Sequence, residues 1–152
     1  MPKKNQSRKT KKISYDQIKQ PGENKMANNS KKRILVVDDA AFTRTMLKKI
    51  INNTDYSEVV AEANNGKKAI ELYKDLKPDL VTMDLVMPEQ GGIETTEQLL
   101  SFDGNAKIVV VSALGQEALV LEAAKKGAKD FIQKPFKSDQ VIDVLERILL
   151  KK

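Results

Sequence analysis

The chain has 152 residues, room for one ordinary hydrophobic core and not for two. It contains neither cysteine nor histidine, which excludes disulfides, thiolate chemistry, imidazole general bases and zinc sites built on either residue. The formal charge of +6 is uneven: residues 1–33 carry 11 basic and two acidic side chains, a net of +9, and the remainder of the chain is mildly acidic at −3.

In residues 1–30 only Ile13, Tyr15, Ile18 and Met26 are large and apolar, too little surface to offset the entropy of ordering, so a disordered basic tail is expected. Clustered lysines suit a nucleic-acid-binding arm. Met26-Ala27, with a short polar lead into Ile34, reads instead as a translation start, so an over-extended start is the simpler account and nucleic acid is disfavoured as a partner. The N-terminus lacks the apolar run of a secretory signal. The longest uncharged stretch beyond it, Ile108 to Gln116, is nine residues, against the roughly 20 apolar residues that span a bilayer. A cytoplasmic protein without a membrane partner is expected.

From Lys32 onward short apolar runs alternate five times with amphipathic stretches. Ile34 to Val37, Leu80 to Met83 and Ile108 to Val111 are near-continuous and β-branched, as parallel strands covered on both faces are. Glu58 to Ala63 and Lys129 to Gln133 are shorter or more polar and suit sheet edges. Between the strands, five helical faces follow the three-and-four spacing: Phe42, Met46, Leu47, Ile50 and Ile51; Ala69, Leu72, Tyr73 and Leu76; Ile93, Thr96, Leu99 and Leu100; Val120, Ala123 and Ala124, ended by Gly127; Val141, Val144, Leu145 and Ile148, with Ser138 as N-cap. A (βα)5 alternation with right-handed crossovers is an α/β fold, an open doubly wound parallel sheet; a closed barrel of eight units needs about 250 residues.

In such a sheet the site lies beyond the carboxyl ends of the strands. There the sequence places Asp38-Asp39, Asp84, Ser112 and Lys134. Singly, either aspartate of the pair could cap the first helix, Ser112 the fourth, and Lys134 could be a solvated charge. Together they resist that reading, because carboxylates about 5 Å apart repel by roughly 3 kcal/mol per pair at an effective dielectric near 20. A cation must share the cluster. All the donors are oxygen, which selects a hard ion; Mg²⁺, held by one or two carboxylates and otherwise by water and phosphate, fits better than Ca²⁺, whose wrapping loop is absent. Mg²⁺ with a carboxylate nucleophile, a hydroxyl and an ammonium is equipment for phosphoryl transfer. Neither G-x-G-x-x-G nor G-x-x-x-x-G-K-[ST] occurs, so dinucleotide and P-loop binding find no support.

Val36-Val37-Asp38-Asp39, Met83-Asp84-Leu85-Val86-Met87-Pro88 with Gly91-Gly92, Val111-Ser112-Ala113 and Lys134-Pro135-Phe136 together closely resemble the receiver domain of two-component response regulators. The resemblance covers about residues 31–150, places the receiver domain at 31–152 and implies a flavodoxin-like sheet of strand order 2-1-3-4-5. It implies Asp84 as phosphoacceptor, Mg²⁺ held by Asp38, Asp39, Asp84 and the backbone carbonyl of Val86, Ser112 as switch hydroxyl, Lys134 as phosphate partner, Phe131 as the aromatic that moves with Ser112, and a cis Lys134-Pro135 bond. It also implies a histidine kinase as phosphodonor and a protein that switches rather than turning over a separate metabolite. Ser112 to Gln116 is similar to the segment of stand-alone chemotaxis regulators, and the chain ends just after the fifth helix. Both point to a single-domain messenger that binds the flagellar switch, or another target, through the face of the fourth helix, fifth strand and fifth helix, with a phosphatase as a further partner. The alternative is a relay intermediate that passes the phosphoryl group to a histidine phosphotransfer protein. Val86 and Leu114 are apolar where the route of the hydrolytic water runs in this family, so slow hydrolysis is expected.

Overall fold

The computed structural model describes residues 30–150. The tail expected over residues 1–30, with its alternative start at Met26, lies outside them except for Ser30. Strands and helices alternate along the chain: β1 (Lys32–Val37), α1 (Ala41–Asn52), β2 (Ser57–Ala63), α2 (Gly66–Leu76), β3 (Leu80–Asp84), α3 (Gly92–Phe102), β4 (Ile108–Ser112), α4 (Glu117–Lys125), β5 (Asp130–Gln133) and α5 (Ser138–Leu149). The sheet order is β2-β1-β3-β4-β5 and every neighbouring pair is parallel. This is the expected flavodoxin-like order, with the two more polar strands at the edges.

The interior strands are apolar on both faces because both faces are covered. Leu35, Val37, Val81, Met83, Ile108 and Val110 pack with Ala69 and Tyr73 of α2, Leu99 of α3 and Ala123 of α4. Ile34, Val36, Leu80, Val109 and Val111 face the other way, onto Leu47 and Ile51 of α1 and Val141, Val144, Leu145 and Leu149 of α5. Each fully buried Leu, Ile or Val adds roughly 1.5–3 kcal/mol from apolar burial. The helices are held unequally: α5 buries four side chains, whereas α4 buries Ala123 alone, leaving Leu121 exposed and Val120 half-buried.

Three expectations need correction. Phe42 follows the four-residue spacing of Met46 and Ile50, yet it is 75% exposed, because at about 100° per residue it lies roughly 140–180° around α1 from Leu47 and Ile51, the side chains that reach the core. Ala124, assigned with Val120 and Ala123 to the buried face of α4, is also exposed. Ser138 is the first helical residue rather than the cap: Lys137 occupies the N-cap, and its backbone N–H donates to Oε1 of Gln140. Gly127 does end α4, at φ +114, a left-handed conformation that side chains resist.

Candidate functional site at the carboxyl edge of the sheet

Strand register sets the site. Val37 pairs with Met83 and with Ala63, Asp84 with Val111, and Ser112 with Gln133, so the residues following β1, β3, β4 and β5 leave the sheet side by side. Backbone bonds hold these ends past the last strand residues: Asp38 N–H donates to Ala63 C=O at 3.0 Å, Leu85 N–H to Val111 C=O at 3.1 Å, and Lys134 N–H to Ser112 C=O at 2.7 Å. Gly92 backs the end of β3. A Cβ there would collide with the Asp84 carbonyl oxygen and lie 2.8 Å from Leu85 Cα, so glycine is what lets α3 start this close to the strand.

Carboxylate oxygens of Asp38, Asp39 and Asp84 lie within 4.8 Å of one another. Asp38 is fully buried, Asp84 nearly so, and Asp39 exposed, which makes the cluster a cup with one open side. Lys134 enters from β5, its Nζ 3.1 Å from Asp38 Oδ2 and 3.6 Å from Asp84 Oδ1. The approach to Asp38 Oδ2 is not aligned for a hydrogen bond, so that buried oxygen has a counter-charge but no donor. Its companion Oδ1 accepts from Ala40 N–H at 2.9 Å. Burial first, then the neighbouring Asp38 charge, pushes the Asp84 carboxyl up to about 7, although Lys134 and the Val86 N–H, 3.4 Å from Asp84 Oδ1, pull the other way.

Three carboxylates against one ammonium leave a net charge of −2 on an all-oxygen donor set. That charge and the unbonded Asp38 oxygen suit a hard divalent cation such as Mg²⁺. The capping readings fail. Ala40 is the N-cap of α1 with no side-chain bond, Gln116 is that of α4, and Ser112 is the buried last residue of β4. Lys134-Pro135 is cis, as the resemblance implied.

Phe131 stands apart from the charged cluster. It lies on β5, 46% exposed, and with Ser112, Ala113, Glu117, Val120, Leu121 and Gln133 lines a depression of about 290 Å³ between β5 and α4. Ser112 therefore borders both the cluster's edge and this depression. Val86 and Leu114 are exposed, at 53% and 77%.

The sequence model of the response regulator receiver domain matches residues 34–146, the span from β1 into α5. The chain belongs to this family. As a response regulator it is a component of phosphorelay signalling, and its relatives include chemotaxis proteins. It is 56% identical to the chemotaxis protein CheY of Thermotoga maritima over 117 residues, 77% of this chain and 97% of that one. It is 50% identical to CheY of Bacillus subtilis over a span of the same coverage. Another Bacillus subtilis relative, named CcdB, is 44% identical over 117 residues, 77% of this chain and 97% of that protein. Among solved structures, a Borrelia burgdorferi complex titled CheX-CheY-BeF3-Mg+2 is similar at 34% identity and a TM-score of 0.74, covering 79% of this chain and 90% of that chain. The response regulator domain of Thermotoga maritima CheB is similar at 39% identity and a TM-score of 0.69, covering 78% of this chain and 94% of that one. Among the described residues no helix is long and apolar enough to cross a membrane.

Two receiver residues escape a reading confined to strand ends. Arg44 of α1 donates from Nη1 to the Asp38 carbonyl at 2.7 Å and from Nε to Oε1 of Glu62 at 3.1 Å. The sequence signal was Glu62 itself, a lone charge inside Val59-Val60-Ala61-Glu62-Ala63.

Proposed function

We propose that this receiver domain is a Mg²⁺-dependent phosphoacceptor switch, phosphorylated on Asp84 by a histidine kinase and signalling by protein binding in chemotaxis and flagellar motor control. The observation that carries this reading is the convergence of Asp38, Asp39 and Asp84 with Lys134 at the end of the central strand. An Asp84 carboxylate oxygen attacks the phosphorus of a phosphohistidine; the new P–O bond forms as the P–N bond breaks, and the imidazole leaves with the electron pair. Asp38, Asp39, Asp84 and the Val86 carbonyl would hold Mg²⁺, whose charge would offset that of the transferring group. Lys134, already between Asp38 and Asp84, turns to a phosphoryl oxygen, and the Ser112 hydroxyl donates to another. That draws Ser112 toward Asp84 and enlarges the space into which Phe131 packs. With no phenolic hydroxyl, Phe131 reshapes the α4, β5 and α5 face by packing alone.

Water attack on phosphorus later returns Asp84 and inorganic phosphate. The domain thus catalyses its own phosphorylation and dephosphorylation without processing another metabolite; a phosphatase completes its proposed partners, and the CheX-CheY complex of Borrelia burgdorferi supports a second protein docking on such a domain. The test is phosphotransfer to the full chain from acetyl phosphate or a labelled histidine kinase, with and without Mg²⁺, beside Asp84→Asn. Acid-stable, base-labile label that requires Mg²⁺ and is missing from Asp84→Asn supports the proposal. Label that persists in Asp84→Asn refutes it, and transfer onward to a histidine phosphotransfer protein in preference to capture of a flagellar switch protein replaces the messenger with the relay reading.

A further inference from the structure

We propose that Arg44 is a positioning residue of this site, holding the peptide that joins Asp38 to Asp39 so that both carboxylates face Mg²⁺. The inference rests on the metal-dependent reading above and deepens it. Asp38 lies one residue past β1, where strand pairing has ended. Its N–H is held by the Ala63 carbonyl and its side-chain Oδ1 by Ala40 N–H, but its carbonyl, half of the peptide unit leading to Asp39, is held by Arg44 Nη1. Rotation of that one peptide plane would swing Asp39, the exposed member of the cluster, away from Asp38 and Asp84.

Arg44 is itself fixed. Its side chain is only 17% exposed, and its Nε is taken by Glu62 Oε1, while Lys48 Nζ binds the other oxygen, Glu62 Oε2, at 2.9 Å. The planar guanidinium presents two donors in fixed relation, so one side chain joins the end of β1 to the end of β2. Residues 62 and 63 of β2 therefore hold Asp38 twice, by the Ala63 carbonyl directly and by Glu62 through Arg44. The bond from Lys48, foremost, keeps the Glu62 carboxyl below its ordinary range and hence ionised for this task.

Charge and position predict opposite signs, which makes the inference testable. Arg44→Gln removes a positive charge near a cation site, so electrostatics alone would tighten Mg²⁺ binding. Loss of an outer partner that orients metal ligands weakens affinity by about tenfold or more. The experiment is an NMR titration of the ¹⁵N-labelled full chain with MgCl₂, following backbone amides around residues 38–40 and 84–86, with spectral dispersion reporting the fold. Expected are about tenfold weaker binding in Arg44→Gln, a similar loss in Arg44→Lys, which keeps the charge but cannot bridge both partners, and unchanged or tighter binding in Lys49→Gln, which removes an exposed charge of α1 outside this network. Should Arg44→Gln not fold, Arg44→Lys decides alone. Wild-type affinity in a folded Arg44→Gln or Arg44→Lys overturns the positioning role while leaving the metal site intact. A wild-type chain whose amides ignore MgCl₂ overturns the metal reading itself, and this inference with it.

Discussion

Replacing Asp84 by Asn should make the metal-free protein more stable, by an amount that depends on pH in a defined direction. Asp84 is 5% exposed, and its carboxyl is pushed up to about 7 by burial and by Asp38, from 3.8. Asp38 and Asp39, each within 4.8 Å, each cost about 3–4 kcal/mol at an effective dielectric of 20, and Lys134, at 3.6 Å from Asp84, returns about 4–5, so repulsion wins by roughly 2 kcal/mol before burial is added. With burial included, the rise from 3.8 to about 7 corresponds to a net gain of about 4 kcal/mol at pH 8, roughly 16 °C in Tm for a domain of this size. The folded state binds the Asp84 proton more tightly than the unfolded chain does. Wild-type stability therefore falls as pH rises from about 4 to about 7, and the advantage of Asn grows over that window and levels off above it. Thermal unfolding of both proteins in EDTA at pH 5 and pH 8 measures this: the Asn advantage at pH 5 should be roughly a third of that at pH 8. Saturating Mg²⁺ at pH 8 should raise the wild type and leave the variant much less affected, since binding to the native state alone adds stability. An advantage equal at the two pH values, or an Asn variant less stable at pH 8 in EDTA, would refute the electrostatic reasoning.

Other substitutions address separate parts of the molecule. An amide or acid at Val86 or Leu114, both exposed, should accelerate loss of phosphate from Asp84 severalfold with Tm nearly unchanged; decay of the labelled protein gives the answer, and an unaltered rate means side chains there do not orient water. Gly92→Ala should lower stability by about 2 kcal/mol or more in urea unfolding, because the new methyl meets the Asp84 carbonyl and Leu85 Cα rather than a flexible side chain. Leu145→Ala, fully buried between α5 and the sheet, should cost about 2–5 kcal/mol in the same assay. The Glu62 carboxyl is held low by Lys48 and Arg44, so its contribution is present above the ordinary carboxylate range and lost as pH falls through its folded pKa; being partly exposed, Glu62→Gln should remove no more than about 1 kcal/mol at pH 7 and almost nothing near pH 2.

The sheet and the charged cluster were legible in the sequence for one reason: a parallel strand covered on both faces needs an unbroken apolar run, so the first polar residue after it marks the strand's carboxyl end. Asp38 and Ser112 are those residues for β1 and β4, and Asp84 is that residue for β3 once Thr82, buried within the run, is passed over. Strand order is another matter. Periodicity is indifferent to which strands are neighbours, and the order came from the resemblance of motifs. Phe42 was misassigned because a chain of three- and four-residue steps drifts around a helix, so its first member, Phe42, ends nearly opposite the last, Ile51. Ser138 was misassigned by one position because the N-cap role passed to the backbone of Lys137 and the side chain of Gln140. The contacts of Arg44 were illegible for a similar reason: they join residues 38, 44 and 62 through a peptide carbonyl, and a carbonyl leaves no mark in a sequence.

The shallow seat of α4 has an energetic meaning. A helix whose one fully buried side chain is Ala123, with Leu119 and Val120 only half-buried against the core, opens locally for less free energy than α5, anchored by Val141, Val144, Leu145 and Leu149, so its amide protons should be among the first of the helical ones to exchange with solvent. A bias of about 1.4 kcal/mol changes the ratio of two arrangements tenfold. On the proposed switching, a shift of Ser112 at the end of β4 would therefore need to supply only a bias of that order to move α4, while the opposite layer, α1 and α5, keeps the domain folded.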